Sequence, residues 1–104
     1  MEIEIYDYEE INELFSEDYK KEIKEAIEKV CEIHNLSGFQ KWLKEQPYSD
    51  KLEANFFVMD FWIDRITNGQ IYLNVTKDRI EIKLMTWTEG GIGYHEETIG
   101  VVKF

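Results

Sequence analysis

The sequence predicts a single α+β domain over residues 1–104, with a short N-terminal strand and two to three helices packed on a C-terminal antiparallel β-meander of about four strands. Apolar residues recur at helical spacing in the first half of the chain and alternate with polar residues in much of the second half. The composition is 43% hydrophobic and 14% aromatic, which is typical of a packed globule. A chain of 104 residues suits one hydrophobic core.

The first half predicts one strand and three helices. Residues 2–5 alternate polar and apolar side chains, as a half-buried strand does. Three side chains are suited to cap helices: Asp7 before residues 8–15, Ser16 before a long helix, and Ser37 before a third one. The inner face of the long helix is predicted from apolar residues at helical spacing, which are Tyr19, Ile23, Ala26, Ile27, Val30 and Ile33.

The second half predicts a β-hairpin whose two-residue loop is Lys77-Asp78. Such a loop places three aliphatic pairs on one face: Val75 opposite Ile80, Leu73 opposite Ile82, and Ile71 opposite Leu84. Asn68-Gly69 predicts a type I′ turn before this hairpin. Gly90-Gly91-Ile92-Gly93 predicts a bend before a final strand over residues 98–104.

Residues 55–66 fit either a strand or a helix. As a strand, the segment carries Phe57, Met59, Phe61 and Ile63 on one face and Phe56, Val58, Asp60, Trp62 and Asp64 on the other. As a helix, it aligns Leu52, Phe56, Met59, Ile63 and Ile66. The aromatic-rich composition favours the strand.

The net charge of −10 is concentrated at the N-terminus. Residues 1–18 contain eight acids and no lysine or arginine, whereas the remaining residues are close to neutral. Helix N-termini account for some of these acids, namely Asp7, Glu9, Glu10, Glu17 and Asp18. A local negative field attracts basic proteins and repels nucleic acid and anionic membranes, so we expect a basic protein partner, no direct nucleic-acid binding and no membrane binding.

The hairpin register sends a second set of side chains to the face opposite the aliphatic one: Tyr72, Asn74, Glu81, Lys83, Met85 and Trp87. Aromatic side chains are enriched at the centres of protein interfaces, and Trp62 and Tyr94 are further candidates. The predicted partner-binding residues are therefore Glu2, Glu4, Asp7, Glu9, Glu10, Glu13, Tyr72 and Trp87.

The usual nucleotide-binding and zinc-protease motifs are absent from the sequence. Asp60, Asp64, His95 and Glu97 are the acid, base or metal-ligand candidates, but their spacing fits solvated surface residues better. Cys31 is expected to be a small core residue. We therefore expect a non-enzymatic protein with no catalytic residues, cofactor or metal.

Charge and composition together lead to a functional hypothesis. The chain is expected to be a cytoplasmic inhibitor, of the bacterial immunity (antitoxin) kind, that neutralises a basic nuclease-type toxin through an acidic surface. Two alternatives stay open: a nucleic-acid mimic that blocks a DNA- or RNA-binding defence protein, and a small enzyme or ligand-binding domain. The lone cysteine and the absence of a leader or membrane segment support the cytoplasmic expectation.

Overall fold

The computed structural model describes residues 1–91 and 93–104 as a five-stranded antiparallel sheet with helices on one face. The strands are β1 Glu2–Ile5, β2 Ala54–Trp62, β3 Thr67–Val75, β4 Ile80–Thr88 and β5 His95–Lys103. The helices are α1 Glu9–Leu14, α2 Glu17–Ile33 and α3 Leu36–Lys44, followed by a 3₁₀ turn at Ser49–Lys51. The predicted α+β architecture is confirmed.

Strands β2 to β5 form a four-stranded meander, and β1 adds a fifth strand beside β5. The spatial order is therefore β1-β5-β4-β3-β2, with β1 and β2 as the two edges. Gly100 permits the β1–β5 contact, because a Cβ atom there would overlap the carbonyl oxygen of Glu4.

The β3–β4 hairpin has the predicted register, and its six paired aliphatic side chains are all buried. The Thr76 N–H donates to the Arg79 carbonyl oxygen at 2.9 Å, which leaves Lys77 and Asp78 as the two loop residues. Helix α2 packs on the same face and contributes Ile23, among other residues, to the core. The predicted hairpin is confirmed.

The stripe of α2 that faces the sheet runs through Ile23, Ile27 and Cys31, all buried. Cys31 is a core residue, as predicted. Ile33 is 76% exposed, so the prediction that it lies on the inner face is wrong. Its position two residues after Cys31 turns it about 200° away from the sheet, since each helical residue rotates by about 100°.

Residues 54–62 form a strand, which confirms the favoured interpretation of this segment, but a β-bulge changes its faces. Phe57 lies opposite Tyr72, whereas Met59 lies opposite Ile71, so the register shifts between them at Val58. Phe57 therefore points away from the core, while Val58 packs against it. The predicted alternation of these side chains is wrong because the bulge inserts one extra residue.

The turn between β2 and β3 lies at residues 63–66, so the turn predicted at Asn68-Gly69 is wrong. The Asp64 carboxylate accepts hydrogen bonds from the backbone N–H groups of Ile66 and Thr67, at 2.9 and 2.8 Å. This local hydrogen bonding by an aspartate side chain stabilises the turn there.

Of the three predicted caps, Ser16 is confirmed because its Oγ accepts from the Tyr19 N–H at 3.1 Å. Asp7 does not cap α1; its carboxylate accepts a hydrogen bond from the Asn12 side chain at 2.7 Å. Ser37 lies inside the first turn of α3, which begins after Asn35. Asn35 has a left-handed φ of 47°, which lets the chain turn sharply from α2 into α3.

The glycine-rich bend lies between β4 and β5, where Gly90 and Gly93 have φ values of 78° and 87°. These left-handed conformations favour glycine, in agreement with the predicted bend. Ile92 lies outside the described residues.

The ring of Phe61 on the neighbouring strand occupies the space that a side chain at Gly69 would need. A Cβ atom on Gly69 would lie 2.5 Å from Phe61 Cζ, and the ring is held by Phe15 and Tyr19 at centroid distances of 5.4 and 5.9 Å. We expect Gly69→Ala to lower the free energy of unfolding by about 1–3 kcal/mol, measured by urea denaturation, because the packed ring must move.

The double variant Phe61→Leu/Gly69→Ala is the control for this mechanism. Removing the ring opens space for the methyl group, so the double variant should lose less stability than the two single variants together. Additive losses would contradict the steric explanation.

Candidate protein-binding surface

The face of the sheet opposite the helices, here called the outer face, is built by strict alternation along β3 and β4. Alternate residues are buried from Gly69 to Val75 and from Ile80 to Leu84, and the residues between them are half-buried and point away from the core. The outer-face set matches the prediction: Tyr72, Asn74, Glu81, Lys83, Met85 and Trp87. In the part of the chain that the structure describes, no helix covers this face.

The bulge in β2 adds Phe57 to the outer face, which the sequence interpretation missed. Phe57 is 55% exposed and lies opposite Tyr72. The two rings line a shallow depression of about 350 Å³ together with Asn55, Gln70 and Met85. No pattern in residues 55–66 marks the bulge, so only the paired register could have located Phe57.

Two tryptophans lie further along the outer face. Trp62 lies opposite Asn68 on β3, and Asn68 in turn lies opposite Trp87 on β4. Trp62 is 60% exposed, and Trp87 lines a second depression with Tyr94, which is 68% exposed. Phe57, Trp62, Tyr72 and Trp87 thus share one uncovered face of the sheet, and Tyr94 lies beside Trp87 just before β5.

Two cations of the outer face, Lys83 and Arg79, form ion pairs with Glu81, at a distance from the tryptophans along the strands. Lys83 Nζ donates to Thr98 Oγ1 at 2.7 Å and lies 3.7 Å from Glu81 Oε2. Arg79 Nε lies 3.1 Å from the other Glu81 oxygen. The single Glu81 carboxylate thus offsets one of the two positive charges on this part of the face.

Acids flank the aromatic region. Asp60 lies opposite Gln70, and Glu96 lies opposite Met85, so both carboxylates border the depression between Phe57 and Tyr72. Burial and the neighbouring Glu96 carboxylate raise the pKa of the Tyr72 phenol. At neutral pH Tyr72 is therefore an uncharged hydrogen-bond donor in an acidic setting.

The six predicted N-terminal acids, Glu2, Glu4, Asp7, Glu9, Glu10 and Glu13, are all exposed, and the fold divides them between edge strand β1 and the segment 7–14 that contains α1. Glu2 lies on edge strand β1, opposite Lys103. Asp7 is linked through Asn12 to Lys20, which also binds Glu17 at 3.1 Å.

Lys20 has a relative exposure of 8% and neutralises part of the acidic segment. The N-terminal segment contains no base of its own, yet the fold supplies one from α2. In the folded chain the acidity of residues 1–18 is therefore partly compensated by a lysine from outside that segment.

The acids of α1 instead join acids from distant parts of the chain at one end of the sheet, here called the turn end, where β2 and β4 finish. The Tyr8 hydroxyl, at the start of α1, donates to Glu97 Oε2 of β5 at 3.0 Å. Glu89 lies beside the β2–β3 turn, because its N–H donates to the Ile66 carbonyl oxygen. The acids of the turn end are Glu9, Glu10, Glu13, Asp64, Glu89, Glu96 and Glu97.

The four residues considered for catalysis or metal binding are separated. Asp60 lies on the outer face, whereas Asp64 lies in the turn, where its backbone hydrogen bonds lower its pKa. His95 is exposed and Glu97 binds Tyr8. The prediction that Asp60 and Asp64 share a face is wrong because β2 ends at Trp62. Among the described residues, no group of three or more His, Cys, Asp or Glu side chains could hold a metal ion.

No protein-family model, curated protein or solved structure matches this chain. No helix in the described residues has the length and apolar character needed to cross a membrane.

The Tyr8–Glu97 hydrogen bond ties α1 to β5, and its loss should be measurable. Burial and the Glu97 carboxylate raise the pKa of Tyr8 from 10.0 to about 12. The folded state thus holds the Tyr8 phenol proton more tightly than the unfolded chain does. The hydrogen bond to Glu97 therefore stabilises the fold fully below pH 10, and this stabilisation is lost as the pH rises towards 12.

We expect Tyr8→Phe to lower the free energy of unfolding by about 1 kcal/mol at pH 8, measured by urea denaturation. The difference from wild type should narrow as the pH approaches 12, while the exposed control Tyr94→Phe should match wild type throughout. A difference that is independent of pH would show that the hydrogen bond is not its cause.

Proposed function

We propose that this chain is a non-enzymatic inhibitor that binds a basic protein through the outer face and the turn end. We further propose that the partner is a nuclease-type toxin, which the chain neutralises in the bacterial cytoplasm as an immunity protein. The observation that supports this proposal is an uncovered sheet face carrying exposed aromatic side chains bordered by carboxylates.

Each part of this surface matches a known requirement of tight protein binding. Aromatic side chains such as Trp87 and Tyr72 supply large buried areas and are frequent energetic hot spots. The acids that surround them complement a basic groove, which a nuclease needs for its own nucleic-acid substrate. A chain that fills this groove blocks the substrate without any chemistry of its own.

The nucleic-acid-mimic alternative fits the charge pattern less well. A mimic needs negative charge spaced along an extended surface, since duplex DNA carries one charge per about 1.7 Å of its axis. Here Lys20 neutralises Glu17 and is linked to Asp7, so the N-terminal acids do not continue as an unbroken row. The aromatic centre of the outer face also has no counterpart in a phosphate backbone.

The role of the outer face in binding is tested by affinity capture of the partner, with the double variant Trp87→Ala/Tyr72→Ala as the bait in place of wild type. The matched control is Trp42→Ala, which removes a 52% exposed tryptophan from α3 on the helical side. We expect wild type and the control to capture the same basic protein, whereas the double variant should bind it at least about thirtyfold more weakly, because one lost hot spot costs about 2 kcal/mol.

The captured protein should be a nuclease whose activity falls to background when an equimolar amount of this chain is added. An acidic partner, a partner whose nuclease activity is unaffected, or a partner that binds the double variant as tightly as wild type would each contradict the proposal.

The acids of α1 are tested separately by the charge reversal Glu9→Lys/Glu10→Lys/Glu13→Lys. We expect partner association at low salt to slow by about tenfold or more, measured by stopped-flow fluorescence, because electrostatic steering raises association rates by about 10- to 1,000-fold. The slope of the association rate against ionic strength should also become shallower.

The control is Glu25→Lys/Glu28→Lys/Glu32→Lys, which reverses three exposed acids on α2 and changes the net charge equally. If the two triple variants slow association to the same extent, total charge rather than the α1 acids would govern association.

A further inference from the structure

A recess lies beside the outer face, where the junction between α1 and α2 meets the end of β2. Its volume is about 270 Å³, which is small compared with the roughly 300–1,000 Å³ of typical small-molecule sites. The lining residues are Glu13, Leu14, Phe15, Tyr19, Phe61, Trp62 and Ile63. Six of these seven side chains are apolar or aromatic, and the seventh is a carboxylate.

The aromatic wall of the recess is packed in a defined geometry. Phe15 and Tyr19 stack with their centroids 5.5 Å apart and their planes 11° from parallel, and Phe61 meets both rings edge-on. Phe15 is 2% exposed, so this wall belongs to the protein core. A side chain that enters the recess therefore meets a preformed surface, which lowers the entropic cost of binding.

The rim of the recess is exposed and joins the outer face. Trp62 lies on edge strand β2, so its indole, 60% exposed, borders both the recess and the outer face. Leu14, at the end of α1, is 38% exposed at the same rim. A partner docked on the outer face could thus extend a side chain over the edge into the recess.

Glu13 supplies the charge at the recess. In residues 1–91 and 93–104, no lysine or arginine forms an ion pair with Glu13. Arg65, in the turn that follows Ile63, does not line the recess. The carboxylate is therefore available to a cation from outside the chain.

We infer that this recess binds the side chain of one arginine from the basic partner. An arginine has an apolar stem that suits Leu14 and Ile63, and a planar guanidinium that stacks on an aromatic ring such as Trp62 and pairs with a carboxylate such as Glu13. That the arginine comes from a basic partner rests on the proposed function, but arginine binding in the recess can be tested without the partner.

The probe is Nα-acetyl-arginine amide, titrated into the labelled full chain and followed by NMR. We expect saturable shifts of the Trp62 indole N–H and of the Leu14 and Ile63 methyl groups. The neutral isostere Nα-acetyl-citrulline amide should bind at least about threefold more weakly, since it lacks the charge that pairs with Glu13. Equal binding of the two probes, or shifts centred elsewhere, would overturn the assignment.

Two variants test the residues. Glu13→Gln and Trp62→Ala should each weaken arginine binding by at least about threefold, whereas Glu89→Gln, which removes an acid of the turn end outside the recess, should not. Unchanged binding in both recess variants would refute the site. A chain that binds its partner through Trp87 but shows no arginine binding would refute this inference alone and leave the proposed function standing.

Discussion

The structure depends on the six aliphatic side chains that the β3–β4 hairpin places on one side of the sheet. They must be buried, and a chain of 104 residues provides one layer of helices to bury them. The sheet is consequently covered on one side. Because side chains in a strand alternate with a period of two, the burial of Leu73 and Ile82 sends Tyr72 and Lys83 to the other side. The candidate binding surface follows directly from the burial of the core.

Two bulges then modify the alternation, one in β2 and one in β5. In β2 the extra residue at Val58 brings Phe57 to the outer face beside Tyr72. In β5 the register shift falls between Thr98 and Gly100, and the residue between them, Ile99, is buried. Gly100 then allows the backbone of β1 to approach closely. The attachment of the acidic N-terminal segment to the sheet thus depends on a residue without a side chain.

The elements that the sequence could predict are those that depend on a repeated local pattern. The hairpin register and α2 each follow from several residues at regular spacing, so one irregular residue does not change the result. A bulge has no such pattern, so strict alternation groups Phe57 with Met59 although the two side chains lie on opposite faces. Asn68-Gly69 gave a stronger turn signal than Asp64, but the ring of Phe61 requires Gly69 inside the strand. Lys20 neutralises N-terminal acids only because of where α2 packs against the N-terminal segment, and such a tertiary contact leaves no pattern in the sequence.

The acids and the aromatic side chains of this surface act over different distances, so in the proposed complex they would contribute to different steps of binding. Charges on the turn end act across about one Debye length, roughly 10 Å at 0.1 M salt, and so influence a partner before contact. At the opposite end, Lys77 and Arg79 are ion-paired with Asp50 and Glu81, whereas the acids of the turn end form no ion pair among the described residues. In the proposed complex, the negative charge of the turn end would attract the positive side of a basic partner. Aromatic contacts form only after docking and slow dissociation. Glu13 and Trp62 line the same recess, so in the proposed complex attraction by charge and retention by aromatic packing would act at the same place.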